Sequence, residues 1–203
     1  LTNNVEFKDR TIEAWTGGRD GKGVIHATRT GYYIYKFIDP NLDLLQNRTS
    51  VHHWVIMRYA EILLSYAEAM NEAYGPTGNV GYRLNAVRAL NQVRNRVGVE
   101  MPAVPTAISK EELREKIRNE RRVELAFEDH RFWDVRRWMI AEQEGVMSGA
   151  MYGIKIYWIN SSPQEFRYTP YLYENRTFTK KMYLHPFSTN EVNKGYLIQN
   201  PGY

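Results

Sequence analysis

The chain has no cysteine among its 203 residues. That excludes disulfides and thiolate metal sites and is compatible with an exported protein. It has no run of eighteen apolar residues, so no segment is long and apolar enough to cross a membrane as a helix. Charge of one sign is not in excess either: 27 basic and 23 acidic residues leave a net +4. Even the Arg-rich stretch 110–138 holds nine Lys/Arg against eight Asp/Glu. A phosphate-binding surface needs an uncompensated basic face, so nucleic acid is not expected as a partner. Neither an initiating Met nor a signal segment is visible, which gives the expectation of a mature or truncated piece. Nucleophile-elbow, Glu-x-x-His and His-Glu-x-x-His patterns are missing too. His26, His52, His53, His130 and His185 are scattered, so neither a metal nor a cofactor is expected.

What is present is 43% hydrophobic residues with 15 Tyr and 5 Trp, enough for one sizeable core. The expectation is one region in three segments: irregular over 1–53, helical over 54–141 and loop-rich over 142–203.

The most informative stretch is Ser109 to Trp138. Ser109 and Glu112 form a capping box, which predicts a helix start. Steps of four and three then place Leu113, Ile117, Glu120, Glu124, Phe127 and Arg131 on one face. That face is apolar at its ends and carries two carboxylates in its middle. If it packs, Glu120 and Glu124 need cationic or hydrogen-bonding partners, because an unpaired buried charge costs several kcal/mol. Arg131, Arg136 and Arg137 lie just downstream, and Arg94 flanks the apolar stripe of an earlier helix.

That earlier pair is legible in the same way. Ile56, Ala60, Leu63, Ala67, Met70 and Tyr74 form an inward stripe, with Arg58, Glu61, Ser65, Glu68 and Glu72 opposite. GPTGNVG breaks the chain, and a second helix over about 82–97 turns Ala86, Leu90, Val93 and Val97 inward. Gly98 stands at its C-terminal cap, and Pro102 and Pro105 prevent continuation. After a turn near Glu128–His130, a fourth helix carries Phe132, Val135 and Met139 inward. Two helical hairpins of this kind bury their faces only by stacking, as in tetratricopeptide-type repeats. Elsewhere, Thr30–Phe37 and Tyr152–Ile159 have strand-like content, and Phe166–Tyr183 is Tyr-rich and short of helix signals. Ser188 and Glu191 predict a short helix.

Glu120, Glu124 and Glu128 tempt a hydrolytic reading, since glycoside hydrolysis uses two carboxylates. But residues four apart on one helix point the same way, whereas catalytic carboxylates flank a bond from different elements. A buried network holding the hairpins together is the better reading, with Glu120, Arg121, Glu124, Arg131, Asp134, Arg136, Arg137 and Arg94 as its members. Asp134 and Arg137 are also an i,i+3 pair. For binding, exposed aromatics outside the helical periodicity are the candidates: Trp15, beside the loop GGRDGKG, with Tyr32, Tyr33, Tyr157 and Trp158. Trp54, Trp133 and Trp138 lie on helices and are expected in the core.

The stretches ERRVELAFEDHRFWDVRRW (Glu120 to Trp138), RYAEILLSYAEAMNEA (Arg58 to Ala73) and the terminal QNPGY resemble the signatures of the SusD/RagB family. The resemblance covers roughly Arg58 to Tyr203, and it departs from the family where Asp129 and His130 replace the usual Gly of the turn. Both residue types tolerate a left-handed backbone. The resemblance implies a mainly α scaffold of tetratricopeptide-like hairpins with long irregular segments and short strands. It implies a surface-exposed outer-membrane lipoprotein of Bacteroidetes-type bacteria that captures a nutrient, usually an oligosaccharide, without catalysis. The ligand would pass to a SusC-like TonB-dependent transporter. The lipid anchor would sit on an N-terminal Cys upstream, and QNPGY would mark the C-terminus. Peptide binding, a purely protein-interaction scaffold and, further off, a glycosidase are the alternatives.

Overall fold

The Ser109 capping box is fully formed in the computed structural model, which describes residues 3–7, 9–43, 45–51 and 53–203. Ser109 Oγ accepts from the Glu112 amide, and the Ser109 amide donates to the Glu112 carboxylate at 3.0 Å. The helix it opens is α3, Lys110–Glu124, preceded by α1, Tyr59–Tyr74, and α2, Ala86–Arg94, and followed by α4, His130–Arg137. The strands are β1, Glu6–Phe7, β2, Arg10–Thr11, β3, Gly149–Ser161, and β4, Gln164–Arg176; α5, Thr189–Val192, is a single turn. The mainly helical scaffold expected from the sequence is what forms. Two compact units result, one from His53–Asp134 and the other from Leu1–His52 with Val135–Tyr203. The first and last of the three segments read from the sequence therefore belong to one unit. His52 lies outside the described residues.

In the helical unit, Leu63, Leu64, Ala67 and Met70 of α1 pack against Ala86, Val87, Leu90 and Val93 of α2 and Leu113 and Ile117 of α3. Burying each such Leu or Ile completely contributes about 1.5–3 kcal/mol, and this cluster is the main core. Asn85 caps α2 by accepting from the Arg88 amide at 2.8 Å. Asn91 holds the following segment with a reciprocal pair, donating to the Val104 carbonyl at 2.9 Å and accepting from its amide at 2.8 Å.

Several ends differ from the periodic reading. Helix α1 begins at Tyr59 rather than Trp54, so Ile56 and Trp54 are exposed. Helix α2 stops at Arg94, so Val97 leaves the inward stripe and is exposed; Tyr74, at the last residue of α1, is exposed as well. The turn after α3 survives without glycine because Phe127 and Asp129 both take φ of 63°. That reversal ends the helical face, so Phe127 is exposed rather than inward. In α4, Val135 is fully buried but Trp133 is exposed; Met139 lies beyond the helix end at Arg137 and is exposed as well.

In the other unit, β3 and β4 form a long antiparallel hairpin, with Ile154 opposite Pro170, Ile156 opposite Tyr168 and Trp158 opposite Phe166. Proline is tolerated there because β4 pairs only with β3 among the described residues, and sheet edges accept proline. The Tyr-rich run read as loop is thus mostly strand; β-branched and aromatic residues fit a pleated half-buried surface. Thr30–Phe37 is not a strand. Its Thr30 carbonyl instead accepts from the Ile154 amide at 2.8 Å. Gly31 makes that contact possible: its φ is +82°, and a Cβ there would lie 2.2 Å from the Ile154 carbonyl oxygen.

Candidate functional site

A concavity of about 770 Å³ is walled on one side by the loop Lys22–Arg29 and on the other by Tyr171, Leu172 and Tyr173 of β4. Its loop wall is fixed at both ends. Before it, Asp20 is held by the Arg10 guanidinium through bonds of 2.6 and 2.8 Å and also accepts from the Glu13 amide. The Arg10 bond, outweighing partial burial, holds the Asp20 carboxyl below the usual carboxylate range. At its far end, Tyr33 Oη donates to the Asp20 carbonyl at 2.8 Å and accepts from the Thr28 amide at 3.2 Å. Tyr171 joins the walls, donating its hydroxyl to the Arg29 carbonyl, while Lys22 Nζ sits 3.8 Å from the centre of its ring. Into this fixed groove the chain presents exposed Val24, Ile25, Leu172 and Tyr173. Apolar and aromatic surface beside a few polar groups is the usual chemistry of a small-molecule site.

The aromatic residues picked from the sequence fall elsewhere. Trp15 and Trp158 come together edge to face at 4.8 Å, with Phe166 completing the group. Trp15 and Tyr33 pack on the small core of Ile12, Ala14 and Ile156, so a large part of their rings serves the fold. Trp158 keeps 44% of its surface exposed and Tyr32 keeps 51%. Tyr157 lies on the opposite face of β3 from Trp158, with the Arg167 guanidinium 5.1 Å from its ring. The groove residues Lys22, His26, Arg29 and Tyr171–Tyr173 had no sequence signal beyond Tyr content, because they meet only through the β-hairpin.

The charged network lies in the helical unit. Glu120 accepts from Arg94 at 2.5 Å, and Arg94 also donates to the Pro102 carbonyl. Arg58, read from its periodicity as an outward residue, bridges two carboxylates: it bonds Glu124 at 2.6 Å and Glu128 at 2.7 Å. Arg96 adds a second bond to Glu124. Burial alone would raise the Glu124 carboxyl, but the hydrogen bonds from Arg96 and Arg58 override it and hold that carboxyl below its ordinary value. Arg121, itself buried, bonds Asp134 at 2.9 Å and Ser65 at 3.0 Å.

The partners of Glu120 and Glu124 in these bonds are therefore Arg94, Arg58 and Arg96 rather than the downstream arginines. Arg131 is partly buried, and that burial lowers its pKa. Arg136 lies against Met147 and the Phe178 ring, and Arg137 against the Trp138 ring. The lowered Glu124 carboxyl suits a structural charge and not a general acid whose pKa must rise. No cluster of His, Asp and Glu among the described residues could hold a metal.

Comparison with known proteins adds the decisive observation: the profile of the SusD family matches residues 6–203. The chain belongs to the SusD family. Two curated SusD-like proteins of Formosa agariphila are similar to it. P2 is 35% identical over 111 residues, covering 52% of this chain and 20% of P2; P38 is 35% identical over 89 residues, covering 41% and 16%. Among solved structures, a SusD-like protein of Bacteroides fragilis is similar at 34% identity with a TM-score of 0.70, covering 95% of this chain and 34% of that one. This SusD-family chain thus spans between about a sixth and a third of the relatives it matches. Glu120–Trp138, the stretch whose sequence resembles the SusD signature, supplies Glu120, Arg121, Glu124, Glu128 and Asp134 to these bonds, and Arg94, Arg58 and Arg96 reach it from outside.

Proposed function

We propose that the chain is the nutrient-binding part of a non-catalytic protein displayed at the bacterial outer-membrane surface. Its ligand is an oligosaccharide, which it hands to a SusC-like TonB-dependent transporter. Membership of the SusD family supports the nutrient and the transporter. The observation that carries the saccharide reading is the groove between Lys22–Arg29 and Tyr171–Tyr173, where exposed aromatic and apolar side chains stand beside polar backbone and basic groups. Flat amphipathic rings of this kind suit sugar faces. The groove has no Asp or Glu in its lining, so it offers no carboxylate pair for glycoside hydrolysis. In this reading the Glu120, Glu124 and Arg121 network keeps the scaffold rigid and takes no part in binding.

Affinity electrophoresis of the intact protein against a panel of polysaccharides, with the 203-residue chain alongside, tests the proposal. Retardation of both places a sugar site within these residues. Retardation of the intact protein alone makes this part scaffold, and retardation of neither favours a peptide or protein ligand.

A further inference from the structure

The groove has a charge bias that the chain as a whole lacks. Its lining contains Lys22, His26 and Arg29 and no Asp or Glu. The carboxylates nearest along the chain are already engaged: Asp20 by Arg10, Glu13 by Arg19 and Glu174 by Arg176. By contrast, Lys22 and Arg29 are exposed, and among the described residues neither has a carboxylate partner. Lys155 adds a further cation, its Nζ 5.3 Å from the Tyr171 ring that Lys22 also faces. A groove lined by cations and no carboxylate favours an anion between its walls.

We propose that this groove takes an anionic saccharide. A carboxylate or sulfate ester on the sugar binds at Lys22 and Arg29, while the sugar face rests against Leu172 and Tyr173. The walls are joined by the Tyr171 hydroxyl and anchored through Tyr33, so the backbone that carries the two cations is in place before the ligand arrives. The proposal rests on the saccharide-binding reading above and adds the class of sugar.

The test compares dextran sulfate and polygalacturonate with neutral dextran and neutral starch, using the intact protein. Binding is read at several salt concentrations for the wild type, for Lys22→Gln/Arg29→Gln and for Lys116→Gln/Lys180→Gln. The last pair removes the same charge from exposed positions elsewhere. The expected result is saturable binding of one or both polyanions, weakened about tenfold in the groove variant and unchanged in the charge-matched control. Which polyanion binds distinguishes a sulfate from a carboxylate. Equal weakening in both variants, or none in the groove variant, overturns the proposal, because binding then follows net charge. Binding of only the neutral glycans overturns it while leaving the saccharide reading intact. Binding of no glycan overturns both.

Discussion

Arg58 donates to Glu124 and to Glu128 at once, from Nη1 and Nε respectively. It precedes α1 by one residue and ties the start of that helix to the end of α3 and the turn beyond it. Both carboxylates are nearly shielded from water, with 9% and 2% of their side-chain surfaces exposed. Removing the guanidinium leaves two like charges facing each other in a poorly solvated place. We expect Arg58→Ala to cost about 3–5 kcal/mol. Glu124→Ala is expected to cost less, about 1–2 kcal/mol, because Arg58 retains Glu128 and Arg96 can turn to solvent. Urea unfolding of the two variants checks the order.

Arg121 and Asp134 form the more enclosed pair, with 5% and 4% of their side chains exposed. Asp134→Ala strands a buried guanidinium and is expected to destabilise by about 3–5 kcal/mol. The double variant Arg121→Met/Asp134→Leu is expected to recover most of that loss, since no charge remains to be satisfied. Urea unfolding of the wild type, Asp134→Ala and the double variant measures the loss and its recovery.

Glu124 contributes to the acid limit of stability. Its folded carboxyl lies below the ordinary value of 4.5, so the folded chain binds that proton less readily than the unfolded chain. The stabilisation is therefore complete above about pH 4.5 and is lost as pH falls through the lower folded value. The stability difference between wild type and Glu124→Gln should stay constant above pH 5 and shrink below 4.5. Chemical denaturation at a series of pH values reads it.

Gly31 is the backbone position that lets the first segment dock on β3. With a left-handed φ and no room for a Cβ against the Ile154 carbonyl, Gly31→Ala is expected to cost about 1–3 kcal/mol. Faster exchange of the Ile154 amide, which donates to Thr30, is the specific signature.

The helical half was legible because its signals are local. Ser109 and Glu112 announce α3, and Leu113, Ile117 and Glu120 share a buried face as their spacing requires. Arg94 beside Glu120 could be anticipated from the adjoining stripe. Arg58 could not, because periodicity placed it opposite the buried stripe, and its side chain reaches partners 66 and 70 residues away. The groove was hidden for a related reason. Lys22 and Tyr171 are brought together by a hairpin whose second strand contains Pro170, a residue that argues against a strand when met in sequence. Trp15 and Trp158 drew attention as aromatics outside the helical periodicity, and much of their surface packs on Phe166 and on each other.

The most direct test of a binding groove without turnover is calorimetric titration of the intact protein with the glycan that retards it most, with new reducing ends assayed in the same mixture. The Tyr173→Ala variant is compared with the wild type, since that ring is exposed in the groove and its loss should leave the melting temperature unchanged. The account predicts saturable binding, weakened about tenfold in the variant, with no reducing ends released. Undiminished affinity in Tyr173→Ala, or steady release of reducing ends, would contradict it.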